Sequence, residues 1–183
     1  MKHQSRNKKH ESKSSFYGAL SDKMNGKIPD ELMELLPRGF QDLEKNVILK
    51  LKTELEPYET LIAEAIHELY PNMKAVWKRG DIVGQFREPA GLKILWGEND
   101  PIVTVTENGV RYRFDFTKIM FAKGNIHERQ RIPKRVEKGD IVVDMFAGIG
   151  YFSLGIAKHS KPGKVYSIEL NPVSFEFLEK NIV

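Results

Sequence analysis

The sequence predicts an α/β protein in which a parallel β-α-β-α unit follows a smaller α+β region with an antiparallel sheet. Residues 140–145, DIVVDM, form a continuous apolar run, which suits a central parallel strand covered on both faces. Two glycines and a helix-compatible segment follow, and a second apolar run, KVYSI, leads to Asn171-Pro172 and another helix. Short alternating runs between residues 73 and 117 indicate the antiparallel sheet.

The first 72 residues are predicted to contain a tail and then helices. Residues 1–16 lack periodicity, and we expect a disordered basic tail there. The segment IPDELMELLP predicts a short helix with Asp30 as its cap and Pro37 at its end. Apolar residues recur at helical spacing over 57–69, which predicts a longer helix. We therefore define 17–72 as a helical N-terminal region.

Residues 73–117 are predicted to form a small antiparallel β domain. In TVTENGVRYRFDF, Asn108-Gly109 separates two alternating segments, and both residues tolerate a positive φ, which favours a hairpin. Residues 118–138 mix helix formers with turn residues, which indicates a basic linker with a short helix. The β-α-β-α unit then occupies 139–183.

The composition excludes several classes of protein. The 183 residues contain no cysteine, which excludes a disulfide framework, a zinc knuckle and an iron–sulfur site, and we expect no metal site. No segment approaches the roughly 18–20 apolar residues of a membrane span, and the first residues lack the apolar core of a secretory signal. We therefore expect a cytoplasmic protein.

Positive charge is concentrated in two segments. The formal net charge is +4, and residues 1–13 hold five lysines or arginines against one glutamate. Residues 118–138 hold seven lysines or arginines against two glutamates. A solvated tail and an ordinary charged connector would explain this pattern, but such segregation is also what a polyanion-binding face requires. The predicted RNA-binding residues are Lys118, Lys123, Arg131, Lys134 and Arg135.

The turn after the first apolar run predicts a nucleoside site. Glycines at such a turn let the backbone approach a ligand, and the following helix presents free N–H groups to its polar part. Glu169 ends the second run, 25 positions after Asp144, where a carboxylate can accept hydrogen bonds from both hydroxyls of a ribose. A dinucleotide fingerprint requires a third glycine, but Ser153 stands in its place. The pattern D-x-x-A-G-x-G, from Asp144 to Gly150, is closer to the turn that binds S-adenosylmethionine in class I methyltransferases.

Three motifs carry a resemblance to a known family. DMFAGIGYFSL and VYSIELNP resemble the first two motifs of the enzymes that modify guanosine 37 of tRNA, and the upstream FDFTKIMFAKGNIHERQRI resembles the same enzymes. These enzymes comprise the guanine-N1 methyltransferases and the tRNA wybutosine-synthesizing protein 2 family. Tyr151 and the GN of the upstream motif are closer to the wybutosine branch. The resemblance implies that 139–183 begins a Rossmann-like class I methyltransferase sheet.

The resemblance also implies a transferase with S-adenosylmethionine as its cofactor and tRNA as its partner. The wybutosine branch transfers the 3-amino-3-carboxypropyl group to a tricyclic guanosine derivative in phenylalanine tRNA, whereas the methylating branch moves the methyl group to guanine N1. Both reactions are displacements at a carbon beside one sulfonium, so positioning within about an ångström decides between them. We expect the first reaction, with N1 methylation as an alternative and a non-catalytic RNA-binding fragment as a second alternative.

Individual roles also follow from the resemblance. Arg129 is expected at the cofactor carboxylate, which a guanidinium can bind bidentately. Glu128 matches the acid that accepts the N1 proton in the methylating branch, and Arg87 matches an arginine on the substrate side. Phe146 belongs to the cofactor turn, although its side chain is expected in the core. The residues predicted at the cofactor are Arg129, Asp144, Phe146, Ala147, Gly148, Gly150, Glu169 and Asn171.

The last segment is expected to be one part of a larger sheet. Residues 140–183 accommodate two strands and two helices, whereas a class I fold builds its site from more strands than these. Apolar sheet surface would then be left uncovered. We therefore expect a truncated chain, in which a missing C-terminal half or another chain covers the exposed sheet.

Overall fold

A computed structural model describes residues 15–80, 82–84, 88–89 and 91–182. The described helices are α1 (Phe16–Met24), α2 (Glu59–Leu69), α3 (Ile126–Arg131), α4 (Ser153–His159) and α5 (Pro172–Ile182). The described strands are β1 (Gln41–Leu43), β2 (Asn46–Leu49), β3 (Ala75–Lys78), β4 (Ile82–Val83), β5 (Glu88–Pro89), β6 (Lys93–Gly97), β7 (Ile102–Glu107), β8 (Val110–Asp115), β9 (Ile141–Asp144) and β10 (Lys164–Ser167). Most of the predicted tail lies outside the described residues. Within them, no helix has the length and apolar character that a membrane crossing requires.

Helices α1 and α2 pack together on one face of a four-stranded sheet. Ser15 caps α1, because its Oγ accepts a hydrogen bond from the Gly18 N–H at 3.1 Å. The helix predicted at 57–69 is confirmed, since α2 covers most of it. The shorter predicted helix is a 3-10 helix at Asp30–Leu35, and Asp30 does not cap it. Prolines on both sides restrict this segment to about two tight turns, which favours the 3-10 form.

The four-stranded sheet corrects two predictions. Its strand order is β1-β2-β3-β6, and β2 pairs with β3 in parallel. Residues 17–72 are therefore not only helical, and the sheet is not purely antiparallel. All four residues of β2 are buried, and periodicity alone cannot distinguish its apolar run, Val47 to Leu49, from a helical segment. The parallel pairing follows from the crossover through α2, because parallel strands require a long connection.

A separate hairpin, β7–β8, confirms the turn predicted at Asn108-Gly109. The two residues have φ angles of +50° and +73°, as a type I′ turn requires. All described strand pairs within 73–117 are antiparallel, as predicted, but this hairpin and the short pair β4–β5 form sheets of their own. The inward-facing side chains of the hairpin pack beside Trp77 in a second core, on the other face of the four-stranded sheet.

Strands β9 and β10 pair in parallel, which confirms the predicted β-α-β-α order. Asn171 caps α5, because its Oδ1 accepts a hydrogen bond from the Val173 N–H at 2.9 Å. The prediction that β9 is covered on both faces is wrong for the described chain, in which Ile141 and Val143 are 72% and 53% exposed. An apolar run shows that both faces of a strand are apolar, and it does not show what covers them.

Asn181 joins α5 to the hairpin and to the glycine turn. Its Oδ1 accepts a hydrogen bond from the Arg113 N–H at 2.9 Å. Its Nδ2 donates to the carbonyl oxygens of Arg113 and Ile149 at 3.2 and 3.1 Å. The amide therefore pairs with β8 in the way that the backbone of a neighbouring strand would.

Replacing Asn181 with alanine should lower the free energy of unfolding by roughly 1–3 kcal/mol, because backbone groups of β8 and the turn lose their partners. Urea unfolding measures this change. Glu179→Ala is a matched control, since Glu179 is an exposed side chain on the same helix. Equal unfolding midpoints for the two variants would contradict the role of Asn181.

Candidate functional site

The glycine turn between β9 and α4 requires glycine at two positions. The φ angle is +57° at Gly148 and +96° at Gly150, in the region that side chains disfavour. A Cβ at Gly148 would lie 2.6 Å from a ring carbon of Tyr151, and a Cβ at Gly150 would lie 2.5 Å from the Cγ of Leu154. The backbone of the turn therefore packs directly on these two side chains.

The Glu169 carboxylate binds the backbone at two places. The Gly148 N–H donates to Oε2 at 2.7 Å, and the Asn171 N–H donates to Oε1 at 2.7 Å. Since Asn171 caps α5, one carboxylate links the glycine turn to the start of that helix. An ionised carboxylate has about four lone-pair sites. The two backbone bonds therefore leave capacity for two more donors.

A cleft of about 550 Å³ opens beside the Glu169 carboxylate. This volume lies within the range of about 300–1,000 Å³ that is typical of small-molecule sites. The cleft wall is largely apolar, with Glu169 and Lys118 as its charged groups. The lining residues are Lys118, Ile119, Met120, Met145, Phe146, Gly148, Tyr151, Ile168, Glu169, Leu170, Asn171 and Ser174.

The structure brings four of the predicted cofactor residues to this cleft, namely Phe146, Gly148, Glu169 and Asn171. Phe146 is 84% exposed, so the prediction that its side chain lies in the core is wrong. It follows the carboxyl end of β9, where no other described element covers the ring. Its exposed ring instead forms part of the cleft wall.

Three other predicted residues support the turn and do not line the cleft. The Asp144 Oδ2 accepts a hydrogen bond from the Ser153 Oγ at 2.6 Å, which ties the end of β9 to the first residue of α4. Ala147 and Gly150 are buried residues of the turn itself. These positions fix the shape of the site, because they hold the strand, the turn and the helix together.

Arg129 faces a protein carboxylate and not the cleft, which corrects the expectation from sequence. Its Nε and Nη2 donate to the two carboxylate oxygens of Glu107 at 2.5 and 2.8 Å. Nη2 also donates to the carbonyl oxygen of Ala122 at 3.0 Å. The side chains of Arg129 and Glu107 are only 4% and 8% exposed. The bidentate geometry that suits a cofactor carboxylate is thus already occupied by a buried ion pair.

Tyr151 connects this ion pair to the cleft, and sequence reasoning gave it no role at the site. The Arg129 guanidinium lies 5.8 Å from the centre of the Tyr151 ring and 5.1 Å from that of Phe121. The Tyr151 hydroxyl donates to the Met120 carbonyl oxygen at 2.8 Å, and burial raises its pKa well above the usual value. Because the same ring packs against Gly148, the Arg129–Glu107 pair supports the glycine turn from behind.

Glu128 is an exposed residue of α3 and is not among the residues that line the cleft. Both of its carboxylate oxygens accept hydrogen bonds from Arg131, the shortest at 2.6 Å. These bonds lower the pKa of Glu128 below its usual value. Arg87, the other predicted catalytic residue, lies outside the described residues.

The predicted RNA-binding residues occupy exposed positions with different partners. Lys118 lines the cleft, and its Nζ lies 3.9 Å from the Asp115 carboxylate. Lys134 and Arg135 are exposed on a 3-10 helix that follows α3. Arg131 is held by Glu128, and the side chain of Lys123 lies outside what the structure describes.

Two adjoining family models match the chain. The model of the TRM5/TYW2 methyltransferase domain matches residues 103–183, and that of the TYW2 N-terminal domain matches residues 20–100. A tRNA(Phe) (4-demethylwyosine(37)-C(7)) aminocarboxypropyltransferase from Pyrococcus horikoshii is 41% identical over 159 residues, which are 87% of this chain and 56% of the relative. The tRNA (guanine(37)-N(1))-methyltransferase Trm5b from Pyrococcus abyssi is 36% identical over 156 residues, which are 85% of this chain and 46% of the relative.

Solved structures show the same similarity. The crystal structure of P. horikoshii TYW2 in complex with MeSAdo matches with a TM-score of 0.71 and 36% identity, over 91% of this chain and 58% of that chain. The complex of aTrm5 and tRNALeu matches with a TM-score of 0.73 and 36% identity, over 91% of this chain and 49% of that chain. These matches confirm the predicted α/β methyltransferase fold. The chain spans about half the length of the relatives it matches.

Replacing Glu107 with alanine should lower the free energy of unfolding by roughly 3–5 kcal/mol, because Arg129 would be left buried without its partner. Chemical unfolding measures the loss. Glu128→Ala also removes an arginine partner, but at an exposed site, and it should have little effect. If the two variants unfold alike, the buried pair does not support the turn as described.

Proposed function

Since the chain belongs to the TRM5/TYW2 methyltransferase family, we propose that it takes part in transferring the 3-amino-3-carboxypropyl group of S-adenosylmethionine to nucleotide 37 of tRNA(Phe). The Glu169 carboxylate, bound to the glycine turn and open to the cleft, is the observation that carries the proposal. The match of residues 20–100 to the TYW2 N-terminal domain and the 41% identical relative favour this reaction over methylation.

The cleft fits the nucleoside part of S-adenosylmethionine. Glu169 has capacity for two donors beyond its backbone bonds, and the two hydroxyls of a ribose supply that number. No side chain at Gly148 separates the turn from the ligand, and the exposed side chains of Phe146 and Leu170 offer apolar surface to a base. When bound, S-adenosylmethionine supplies a sulfonium whose adjacent carbons are electrophilic.

Exposed basic residues suit the tRNA. Lys118 lines the cleft and can neutralise a phosphate near the modified nucleotide, and Lys134 and Arg135 are exposed beyond α3 and can neutralise other phosphates of the tRNA. Arg131 contributes less as long as it binds Glu128. We keep Arg87 as a proposed residue on the substrate side.

Guanine N1 methylation is the second candidate, because Trm5b from P. abyssi is 36% identical to the chain. That reaction must remove the N1 proton, and Glu128 stays the proposed acceptor. The hydrogen bonds from Arg131 lower the pKa of Glu128. Arg131 therefore has to release this carboxylate before it can accept the proton.

Glu169→Gln should weaken S-adenosylmethionine binding by about ten- to hundredfold, since each hydrogen bond to a charged acceptor contributes roughly 1.5–3 kcal/mol. Titration calorimetry measures the affinity, and thermal melting of the same samples reports on the backbone bonds that Glu169 makes. Glu176→Gln neutralises an exposed carboxylate on α5 and should bind the cofactor normally. An unchanged affinity in Glu169→Gln would remove the ribose assignment.

Isotope labels separate the two reactions. With tRNA(Phe) that carries the tricyclic base, label in the carboxyl group of S-adenosylmethionine should enter the RNA, and label in its methyl group should not. Nuclease digestion and mass spectrometry of the RNA identify the labelled nucleotide. With tRNA(Phe) that carries unmodified guanosine at position 37, methyl label in that guanosine would support the methylating alternative. A sample that binds the cofactor but labels neither RNA would contradict both transfer reactions.

A further inference from the structure

The β7–β8 hairpin has a polar outer face that the cofactor cleft does not use. Thr104 and Thr106 alternate with inward-facing residues on β7, and Arg111 and Arg113 do the same on β8. The strand register places Thr104 opposite Arg113 and Thr106 opposite Arg111. Opposite residues have Cβ atoms about 4.5–5.5 Å apart. Two arginine–threonine pairs therefore stand side by side, and these four residues are termed the Arg–Thr face.

The two arginines of this face have no hydrogen-bonding or ionic partner for their side chains within the described part of the chain. By contrast, Arg129 is bound to Glu107 and Arg131 to Glu128. Both arginines of the face are exposed, and each guanidinium carries five N–H donors. The face thus offers hydrogen-bond donors and positive charge to a ligand, and no internal ion pair has to break before the ligand binds.

Two adjoining shallow cavities, of about 250 and 380 Å³, extend the face towards the end of α5. Arg111 and Asn181 line both cavities, and Lys180 and Lys158 add positive charge. Lys180 is paired with Glu176, whereas Lys158 donates to a backbone carbonyl oxygen and has no carboxylate partner among the described residues. The residues described along these two linings include no aromatic side chain.

We propose that the Arg–Thr face binds the ribose–phosphate backbone of the same tRNA whose base enters the cofactor cleft. Guanidinium groups bind phosphate oxygens bidentately, and threonine hydroxyls also donate to phosphates. Bases of single strands stack on aromatic side chains, which the described linings do not provide. The contact is therefore with the backbone and independent of sequence. This inference rests on the proposed function, to which it adds a second contact surface for the tRNA.

Helix α5 connects the Arg–Thr face to the cleft. Asn171 and Ser174 line the cleft near the start of the helix, and Lys180 and Asn181 line the first shallow cavity near its end. From Ser174 to Lys180 the helix rises about 9 Å. The two surfaces therefore adjoin opposite ends of one short helix, and a single tRNA can contact both of them.

The double variant R111Q/R113Q tests the proposal. Its affinity for a tRNA(Phe) transcript should fall about tenfold or more, and the slope of log affinity against log salt should become shallower by about two, because two phosphate contacts are lost. A single strand of unrelated sequence should lose affinity to a similar degree. Thermal melting and S-adenosylmethionine titration should be unchanged, since neither side chain lines the cleft.

Two matched variants complete the experiment. K27Q/K52Q removes the same charge from exposed positions elsewhere and should bind the transcript like the parent protein. R111K/R113K keeps the charge and should recover part of the affinity. The inference is overturned if R111Q/R113Q and K27Q/K52Q bind RNA alike while the parent binds both cofactor and tRNA. If the parent binds neither ligand, the proposed function fails as well, so the two failures are distinguishable.

Discussion

The site depends on one carboxylate that is held in place by backbone groups. Glu169 accepts hydrogen bonds from Gly148 and Asn171, which lie after neighbouring parallel strands, so the glycine turn and the start of α5 keep a fixed separation. The arrangement is robust because both donors are main-chain groups, whose positions follow from the β9–β10 pairing. The same bonds aim the carboxylate at the cleft, where its remaining lone pairs can accept hydrogen bonds from hydroxyl groups.

The sequence predicted this part of the site because its signals are local. Glycines after an apolar strand and an acid at the end of the next strand are separated by one helix, and their meeting follows from parallel pairing. The role of Arg129 was wrongly predicted because its partner, Glu107, lies 22 positions upstream on another element and meets it only in the folded chain. A signal was present, since Glu107 continues the inward-facing alternation of Val103 and Val105 and is therefore an acid on a buried face.

The contrast between local signals and long-range contacts also explains which parts of the fold could be predicted. The β7–β8 turn was recognisable because asparagine and glycine occupy its two positions of positive φ. The β1–β2 hairpin has the same kind of turn, but Glu44 and Lys45 adopt the positive φ angles of 49° and 69°, and neither residue signals such a turn. Which strands share a sheet is decided by long-range packing around α2 and Trp77, which no local pattern encodes.

The contact between Gly148 and Tyr151 has a consequence for how such proteins diverge. The ring occupies the space that a Cβ at position 148 would need, so position 148 can gain a side chain only if position 151 changes as well. A homologue with a larger residue at position 148 must have a smaller side chain at position 151 or a ring turned away from the turn. The ring would then lose its contact with Arg129. The residues at positions 148 and 151 should therefore covary, and through Arg129 they should also covary with Glu107.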